Sequence, residues 1–398
     1  MKSRFSIPHF QFAKLLAIAI TLVTLLSACS LPRVSAQQRT FLDLSLEFLG
    51  QYQLPAQNFQ DTTVGGLSAI AYDRKSDRFL ALSDDHSVLA PARFYTLKID
   101  LSDTGIQNIK IENVTTLKTQ DGKTYPKNSI DPEGIAISPQ KTVFISSEGV
   151  AAPSIPPAIA EYDLQTGRLK QNFPIPQRYI PDAIGDNQQK GVLSNLGLES
   201  LTLNPTGSIP ASGEPIRLFA ATESALIQDR DPVQLDQEGK PKPQITKCRL
   251  LHYLVSSGPP ILISEHLYPL SPAPAGAVYH GLSELLAVDT GGHFLSLERT
   301  LGFFGFNIRI FQLATGAATD TSNILSLKGE IRAVEPVKKQ LLLDLNEIGI
   351  TLDNLEGMAI GPRFPDGSQS LVLVSDNNFS DKQVTQFLLF RLKNGRAG

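Results

Sequence analysis

The chain has 398 residues, a formal net charge of −3 and two cysteines. No stretch is rich in lysine and arginine, which excludes the usual electrostatic footprint of a nucleic-acid-binding protein. Two cysteines exclude a disulfide-rich scaffold, while 29 glycines, 27 prolines and the lack of strong helical periodicity favour many short strands joined by turns.

Residues 1–28 have the pattern of a secretory signal peptide. Three basic residues flank or precede an apolar run from Leu15 to Leu26. This run is shorter than the ~20 apolar residues that a membrane-spanning helix needs. A basic start, a short apolar core and small residues before the cleavage point together predict export of the chain.

Cys29 follows Leu-Ser-Ala, which is typical of a bacterial lipobox. We therefore expect cleavage before Cys29, acylation of its thiol, and lipid anchoring of an exported protein to a membrane of the cell envelope. The alternative is an ordinary signal peptide that contains a cysteine. Residues 29–40 then form a linker, and residues 41–398 form a single domain in which Cys248 is a buried structural thiol.

Five segments after the linker share one pattern. Each opens with a small or acidic residue and a short apolar run, then turns into a second apolar run that ends in a polar or acidic cluster. The openings are residues 66–71, 131–136, 197–201, 281–286 and 354–359. Third and fourth apolar runs follow in most units. Such repetition is typical of a β-propeller built from four-stranded blades.

The last repeat ends after three strand-like runs, the third at residues 386–392. A fourth strand is available at the other end of the chain, in residues 41–54. We therefore predict an all-β propeller whose N-terminal strand joins the C-terminal blade, which leaves no long exposed edge. We count five blades, and residues 301–353 have room for a sixth, with 340–345 as one of its strands. A sandwich or two smaller β-domains is the alternative.

The loops of this predicted propeller differ in length between its two faces. Connections between strands 2 and 3, and between blades, share one face, and here they are long, as at 176–195, 228–247 and 377–385. The turns on the other face are short. Binding and catalysis usually occur where long loops gather on a rigid scaffold, so we expect the functional site on the long-loop face.

Acidic residues recur where strand 1 begins and strand 2 ends, which are antiparallel neighbours at that face. The expected neighbours are Glu133 and Glu148, Glu199 and Glu223, Glu356 and Asp376, Ser68 and Asp84, and Ser283 or Glu284 with Glu298. A ring of carboxylates repels itself unless cations offset the charge. Calcium ions, which take six to eight oxygen ligands, are one remedy. Fixed counter-charges from Arg93, Arg178 and Arg299 are the other.

The repeated acids also have a structural interpretation. A Glu or Ser at a strand start can bond turn amides and lock each blade to the next, and this role is at least as plausible for a position that recurs in every blade. Residues that break the repeat carry more information about function. They are Arg299, His280 and the polar run at 376–379.

These segments resemble the phytase-like family, described as having an esterase-like activity of phytase. The motifs are GLSAIAYD, FLALSDD and RFYTL within 66–97, DPEGIAI and VFISSEG within 131–149, GLESLTL, LFAATES and YPL within 197–270, and LSLERT, NLEGMAIGP and LVLVSDNNF within 295–379. Single motifs are weak, but their ordered series is specific. It spans roughly residues 45–392, nearly the whole mature chain.

The resemblance implies a β-propeller and, by analogy with propeller phytases, Ca²⁺-dependent hydrolysis of phosphoesters, in which bound Ca²⁺ screens phosphate charge and lowers the pKa of an attacking water. We expect the catalytic residues to be Glu133, Glu199, Glu356 and Arg299. We expect substrate contacts from Lys123, Arg93, His280 and Asn377. The expected metal ligands are Glu148, Glu223, Glu298, Asp376 and Asp84.

Two classes of function follow from these expectations. The leading hypothesis is an envelope-anchored hydrolase of ester or phosphoester substrates with a carboxylate-lined, Ca²⁺-dependent site. The competing hypothesis is a non-catalytic propeller that binds a ligand, glycan or protein on the same face. A serine triad is disfavoured, because the chain has no Gly-x-Ser-x-Gly elbow and only six histidines. We expect a monomer that acts on a small molecule and does not bind nucleic acid.

Overall fold

A computed structural model describes residues 40–149, 155–204 and 215–395. The predicted signal peptide, the Cys29 lipidation site and the linker up to residue 39 lie outside the described residues. From Leu42 onward the chain forms one compact unit. No helix within the described ranges has both the length and the apolar character needed to cross a membrane.

The chain is almost entirely β-structure. Strand β1 (Leu44–Leu54) is followed by a small hairpin of β2 (Asn58–Phe59) and β3 (Thr62–Thr63). Blade 1 comprises β4 (Leu67–Asp73), β5 (Arg78–Ser83), β6 (Arg93–Ser102) and β7 (Gly105–Thr116). Blade 2 comprises β8 (Pro132–Ile137), β9 (Thr142–Ser147), β10 (Ala158–Asp163) and β11 (Leu169–Asn172).

Three further blades follow. Blade 3 comprises β12 (Leu198–Leu203), β13 (Ile216–Thr222), β14 (Thr246–Val255) and β15 (Ile261–Leu270). Blade 4 comprises β16 (Ala277–Ala287), β17 (His293–Gly302), β18 (Gly305–Ala314) and β19 (Lys338–Asp344). Blade 5 comprises β20 (Leu355–Arg363), β21 (Gln369–Ser375), β22 (Thr385–Asn394) and β1. The described helical turns are Gln177–Tyr179, Gly185–Asn187, Ile227–Asp229 and Leu345–Ile348.

The five innermost strands contact one another in a ring, in the order β4, β8, β12, β16, β20 and back to β4. The architecture is therefore a five-bladed β-propeller, as the repeat predicts. The sixth blade considered for residues 301–353 does not form. Its candidate strand is instead β19, which pairs with β18 as the outer strand of blade 4. In blade 5, β1 pairs antiparallel with β22, from Leu44 opposite Asn394 to Leu54 opposite Thr385.

Five hydrophobic clusters stabilise the ring, each where two neighbouring blades meet. Strand β5 shows how one strand serves two of them. Phe79 and Ala81 pack toward blade 5, whereas Leu80 and Leu82 pack toward blade 2. Both faces of such a strand are buried, so it reads as a continuous apolar run rather than an alternating one. Cys248 is a buried free thiol within the cluster between blades 3 and 4.

Candidate functional site

Each innermost strand carries a β-bulge at the residue that recurs in the sequence repeat. The register with the second strand of the blade shifts around Ser68, Glu133, Glu199, Ser283 and Glu356. A bulge leaves a residue unpaired and re-aims its side chain out of the alternation of the strand. In blades 2, 3 and 5 the re-aimed residue is a glutamate.

In blades 1 and 4 the bulged residue is a serine that bonds to backbone. The Ser68 hydroxyl donates to the carbonyl oxygen of Glu133 at 3.0 Å, which ties blade 1 to blade 2. The Ser283 hydroxyl donates to the carbonyl oxygen of Leu297 at 3.4 Å. Ser68 therefore has the blade-locking role that the sequence allows for this position, whereas the Ser283 bond stays within blade 4.

Carboxylates of blades 2 and 3 form two groups with the spacing of metal ligands. Asp131, Glu133 and Glu148 each offer an oxygen within 4.8 Å of the other two, and so do Glu148, Glu199 and Glu223. Glu148 belongs to both groups. Glu133 keeps part of its surface open to the channel, and the other four residues are buried. The expected neighbours Glu133 and Glu148, and Glu199 and Glu223, therefore come together.

The residue that opens each repeat determines how closely the acid of the preceding blade can approach the innermost strand of the next blade. A Cβ atom on Gly197 would lie 2.7 Å from the carbonyl oxygen of Glu148, and one on Gly281 would lie 2.4 Å from the carboxylate of Glu223. Glycine is thus needed for the close approach. Blades 2 and 5 carry Asp131 and Asn354 at this position, and both polar side chains join the ring.

We define the acidic arc as Asp84, Asp131, Glu133, Glu148 and Glu199. Burial raises the pKa values of Asp84, Glu133, Glu148 and Glu199 well above their ordinary range, and repulsion between neighbouring carboxylates raises them further. Within the described ranges the arc makes no ion pair with lysine or arginine. Its one ion pair is with His86, whose Nε2 lies 2.5 Å from Asp131 Oδ1.

Glu148 and Glu199 lie side by side in the acidic arc. Burial, the charges of Glu223 and Glu148 and the contact with the Glu148 carboxyl together raise the pKa of Glu199 well above its ordinary value. Glu148 Oε1 also accepts from the amide of Gly197 at 2.6 Å, which links blade 2 to blade 3. Glu148 therefore combines a structural bond with a position at the centre of both carboxylate groups.

We define the arginine arc as Glu223, Arg299, Asn354, Glu356 and Asp376. The Arg299 guanidinium donates to Glu223 Oε1 at 3.0 Å and also pairs with Glu356. Burial opposed by Arg299 leaves the pKa of Glu223 raised. Asn354 Nδ2 donates to Glu356 at 2.9 Å and to Asp376 at 3.4 Å, which joins the expected neighbours Glu356 and Asp376. Burial raises the pKa of Asp376 to about 6.

Tyr279 covers the arginine arc from blade 4. Its ring centroid lies 5.0 Å from the Arg299 guanidinium carbon, within the range of a cation–π interaction. Its hydroxyl donates to Glu223, and burial raises the pKa of Tyr279 far above its usual value. Sequence reasoning missed Tyr279 together with Asp131, Asn354 and His86. For Asp131 and Asn354 a signal existed, because they replace the glycine of the repeat.

Glu298 does not join the ring, in contrast to its expected placement as a metal ligand next to Ser283 or Glu284. Its Oε1 accepts from the hydroxyl of Tyr268 at 2.7 Å and pairs with Lys339 at 2.5 Å. In the other blades the acid follows the last residue of the second strand, but β17 continues past Glu298 to Gly302. Glu298 therefore keeps the strand alternation and faces blade 3, while Arg299 faces the ring.

Two expected substrate contacts are placed elsewhere. Lys123 is 81% exposed and pairs with Asp121. Its turn lies beside the short-turn face of blade 2, because Arg168 of that face donates to the carbonyl oxygen of Gln120. Arg93 is fully buried and pairs with Asp85 at 2.8 Å, and it also donates to Tyr95 and to the carbonyl of Thr63. These protein contacts occupy the Arg93 guanidinium.

The other two expected substrate contacts lie at the edge of the ring and already have partners. His280 Nδ1 lies 2.7 Å from the hydroxyl of Thr300, and Nε2 lies 2.8 Å from the carbonyl oxygen of Ser271. Burial lowers the pKa of His280, so its imidazole is neutral at pH 7, with Nε2 donating to the carbonyl oxygen of Ser271. Asn377 Oδ1 accepts from the amide of Gly66 at 2.9 Å and ties blade 5 to blade 1.

Of the three arginines considered as counter-charges, only Arg299 lies in the ring. Arg178 pairs with Glu265 at 3.2 Å in the outer part of blade 3, and Arg93 neutralises Asp85 rather than its neighbour Asp84. Asp84 remains unpaired in the acidic arc, where the charge of Asp376 helps to raise its pKa. The charge of the carboxylate ring is thus neutralised by Arg299 on one side, whereas the acidic arc on the other side keeps an excess of carboxylates.

Comparisons with solved structures find other propeller-like chains at low identity. One belongs to a family of mannoside phosphorylases containing glycoside hydrolases that target β-1,2 mannosidic linkages in Candida mannan, with 12% identity, 88% coverage of this chain, 95% of that chain and a TM-score of 0.42. Another is a putative glycosidase from Bacteroides thetaiotaomicron, with 9% identity, 81% and 86% coverage and a TM-score of 0.40.

A calcium-binding regucalcin from Agrobacterium tumefaciens matches with 11% identity, 83% coverage of this chain, 92% of that chain and a TM-score of 0.33. Similarities this distant carry no information about activity. No curated protein sequence is significantly similar to the chain. The profile of one family matches residues 62–379, most of the chain and all five inner strands. The chain therefore belongs to the phytase-like family described as "Esterase-like activity of phytase".

Proposed function

We propose that this phytase-like propeller hydrolyses ester or phosphoester substrates at the channel mouth, with Ca²⁺ bound by the acidic arc. One observation carries the proposal. Two groups of carboxylates share Glu148 and hold their oxygens within 4.8 Å of one another in each group, and of their five members only Glu223 pairs with Arg299. So much buried negative charge requires either protons or a cation.

The donor set fits a hard cation. Every candidate ligand is a carboxylate oxygen, the type that Ca²⁺ prefers, and no thiol or imidazole belongs to either group. Asp131, Glu133 and Glu148 would hold one ion, with Glu199 and Glu223 as further ligands. A bound calcium ion would supply positive charge to the ester or phosphate oxygen and lower the pKa of a nearby water.

The chain's own residues supply proton transfer and orientation. The raised pKa of Glu199 and its position beside Glu148 suit its carboxyl group to release or accept a proton. Arg299 bonds Glu223 and Glu356 and fixes the direction of both carboxylates. Because these contacts occupy both terminal nitrogens of its guanidinium and only Nε lacks a hydrogen-bond partner among the described residues, Arg299 acts as a positioning residue rather than as a phosphate ligand.

The proposal includes anchoring to the cell envelope through Cys29. Its support is the lipobox-like sequence that follows the apolar run of the signal peptide. Metabolic labelling with a radioactive or alkyne-bearing fatty acid tests it directly. Wild-type chain should carry the label and Cys29→Ser should not, and equal labelling of both would exclude anchoring at this residue.

The experiment for the activity compares hydrolysis of p-nitrophenyl phosphate, p-nitrophenyl acetate and phytate, with Ca²⁺ and with a chelator. We expect turnover of at least one substrate that the chelator abolishes and Glu148→Gln removes. Glu112→Gln is the matched control, because Glu112 pairs with Arg78 on the exposed outer part of blade 1. Turnover unaffected by chelation would refute the calcium-dependent site.

A non-catalytic binding propeller is the competing function. Its support is that Glu148 also bonds the Gly197 amide, so part of the carboxylate geometry is explained by blade locking. Calcium binding measured by calorimetry without turnover of any ester or phosphoester would favour this class. Neither binding nor turnover would contradict both functions.

A further inference from the structure

The hairpin between β17 and β18 carries two adjacent phenylalanines into solvent. Gly302 pairs with Gly305, so Phe303 and Phe304 form a two-residue tip, and they are 83% and 106% exposed. Large apolar side chains exposed side by side in this way usually mark a binding surface. The glycines on either side place no further side chain between the tip and an approaching molecule.

The surroundings of the tip are also free of charge. Residues 300–308 and the adjacent segment 268–279 contain no Asp, Glu, Lys or Arg, although such residues make up 19% of the chain. Val278 adds a side chain that is 67% exposed, and a Cβ on Gly276 would lie 3.2 Å from the ring of Phe303. The result is a continuous apolar wall made of two neighbouring segments of blade 4.

This wall is continuous with the candidate site through regular strand pairing. Tyr279 lies opposite Leu301, and Gly281 lies opposite Arg299, on the same pair of strands. Phe303 lies four positions after Arg299, which is about 13 Å of extended strand. The apolar wall therefore rises directly above the arginine arc on the long-loop face.

The two faces of the propeller differ in this respect. The described short turns on the opposite face, such as 74–77, 138–141 and 289–292, contain none of the strongly exposed large apolar side chains. The exposed Phe303–Phe304 tip thus lies on the face that carries the carboxylates, which favours a role linked to them.

We propose that the wall formed by Val278, Phe303 and Phe304 binds the apolar tail of an amphiphilic substrate whose ester or phosphoester group lies at the acidic ring. This inference rests on the proposed function and narrows its substrate class to esters with an alkyl or acyl chain. A charged or fully polar substrate such as phytate would leave the wall unused.

Tail length and head group can be separated in one binding series. Calorimetry uses the full-length chain carrying Cys29→Ser, in Ca²⁺, with hexyl- and decylphosphocholine as monomers below their micelle concentrations. Each buried methylene strengthens binding up to roughly fourfold, so we expect decylphosphocholine to bind at least ~30-fold more tightly. The double substitution Phe303→Ser, Phe304→Ser should remove most of that difference.

The outcomes separate this inference from the proposed function. Equal affinity for both ligands, or a tail dependence that survives in the double variant, would overturn the tail site but leave the hydrolase intact. Failure of both ligands to bind would also overturn the tail site. Chelator-sensitive hydrolysis of p-nitrophenyl phosphate, which is water-soluble and has no alkyl tail, tests the proposed function independently of the tail site.

A fluorescence measurement tests the tail site with a single substitution, so that the result does not depend on the folding of the double variant. The chain contains no tryptophan, so Phe303→Trp introduces a single reporter at the tip. Its emission should shift to shorter wavelength when decylphosphocholine binds. Ile261→Trp is the matched control, since Ile261 is an exposed apolar residue on β15 of blade 3, and its emission should not change. The same shift in both variants, or no shift in Phe303→Trp, would refute the proposal.

Discussion

The acidic arc and the arginine arc occupy the same ring but handle buried charge in opposite ways. In the arginine arc, Arg299 pairs with Glu223 and Glu356 inside the protein. In the acidic arc, Glu133, Glu148 and Glu199 have no such partner, and their pKa values are raised well above normal. One half is a finished ion-pair network, and the other half is completed only by protons or by a cation from solution.

The difference teaches that a repeated sequence position does not imply a repeated role. Glu199 and Glu356 sit at equivalent bulges in blades 3 and 5, yet Glu356 bonds an arginine whereas Glu199 lies beside the carboxyl group of Glu148. The neighbouring blade decides the outcome, because each carboxylate meets groups supplied by a different repeat.

The largest expected effect concerns the arginine arc. Arg299→Met leaves two buried carboxylates without their cation, and removal of one partner of a buried ion pair typically costs 3–5 kcal/mol. We expect a loss of about that size in the free energy of unfolding, measured by urea denaturation, with partial recovery on adding Ca²⁺. The control Arg78→Met removes a partly exposed pair with Glu112 and should cost less than about 1 kcal/mol. Equal effects would show that Arg299 does not stabilise the ring.

The acidic arc is tested by calcium affinity. Glu148→Gln removes the residue common to both carboxylate groups. We expect its calcium affinity to fall by roughly 100-fold or more, because substitution of residues that merely support metal ligands already lowers metal affinity 10–100-fold. Glu356→Gln lies in the arginine arc and should change the affinity by less than about tenfold. Titration calorimetry measures both. If the two substitutions have the same effect, the division of the ring into two arcs is wrong.

The pH dependence of stability is a third test. Burial raises the folded-state pKa of Asp376 to about 6, above the unfolded value near 4, and it also raises those of Glu148 and Glu199 well above their ordinary values. The folded state then binds more protons than the unfolded state, so the free energy of unfolding falls as pH rises from about 4 through 6. We expect metal-free protein to melt at lower temperature at pH 8 than at pH 5.5.

Calcium should oppose that loss, since the ion replaces the protons that leave the acidic arc at high pH. Scanning calorimetry at the two pH values, with Ca²⁺ and with chelator, provides the comparison. A metal-free protein whose stability increases between pH 5.5 and 8 would contradict the raised pKa values.

The smallest effect is expected from Tyr279→Phe. The substitution removes one hydroxyl that donates to Glu223 while keeping the ring stacked over Arg299, and a single hydrogen bond of this type is worth about 1–2 kcal/mol. Calcium affinity should be nearly unchanged. If Tyr279→Phe lowers the free energy of unfolding more than Arg299→Met does, then Tyr279 rather than Arg299 is the residue that mainly stabilises Glu223.

Sequence reasoning succeeded where local pattern sufficed. The repeated apolar runs predicted the blades, and antiparallel pairing of the first two strands predicted that Glu133 would meet Glu148 and that Glu199 would meet Glu223. It failed for Glu298, because the acid that ends the second strand elsewhere lies inside a longer strand in blade 4. Where a strand stops determines which way its next side chain points, and strand ends are read poorly from composition.

The amino-acid sequence by itself determined the propeller of at least five blades and the face on which acids gather, because hydrophobic periodicity and turn residues act locally along the chain. Only the tertiary structure decided which acids receive Arg299, which acid pairs with His86, and which acids crowd together without a cation. Those outcomes depend on contacts between blades more than fifty residues apart, such as Arg299 with Glu356. Coulomb interactions of this kind act through space, so sequence spacing does not encode them.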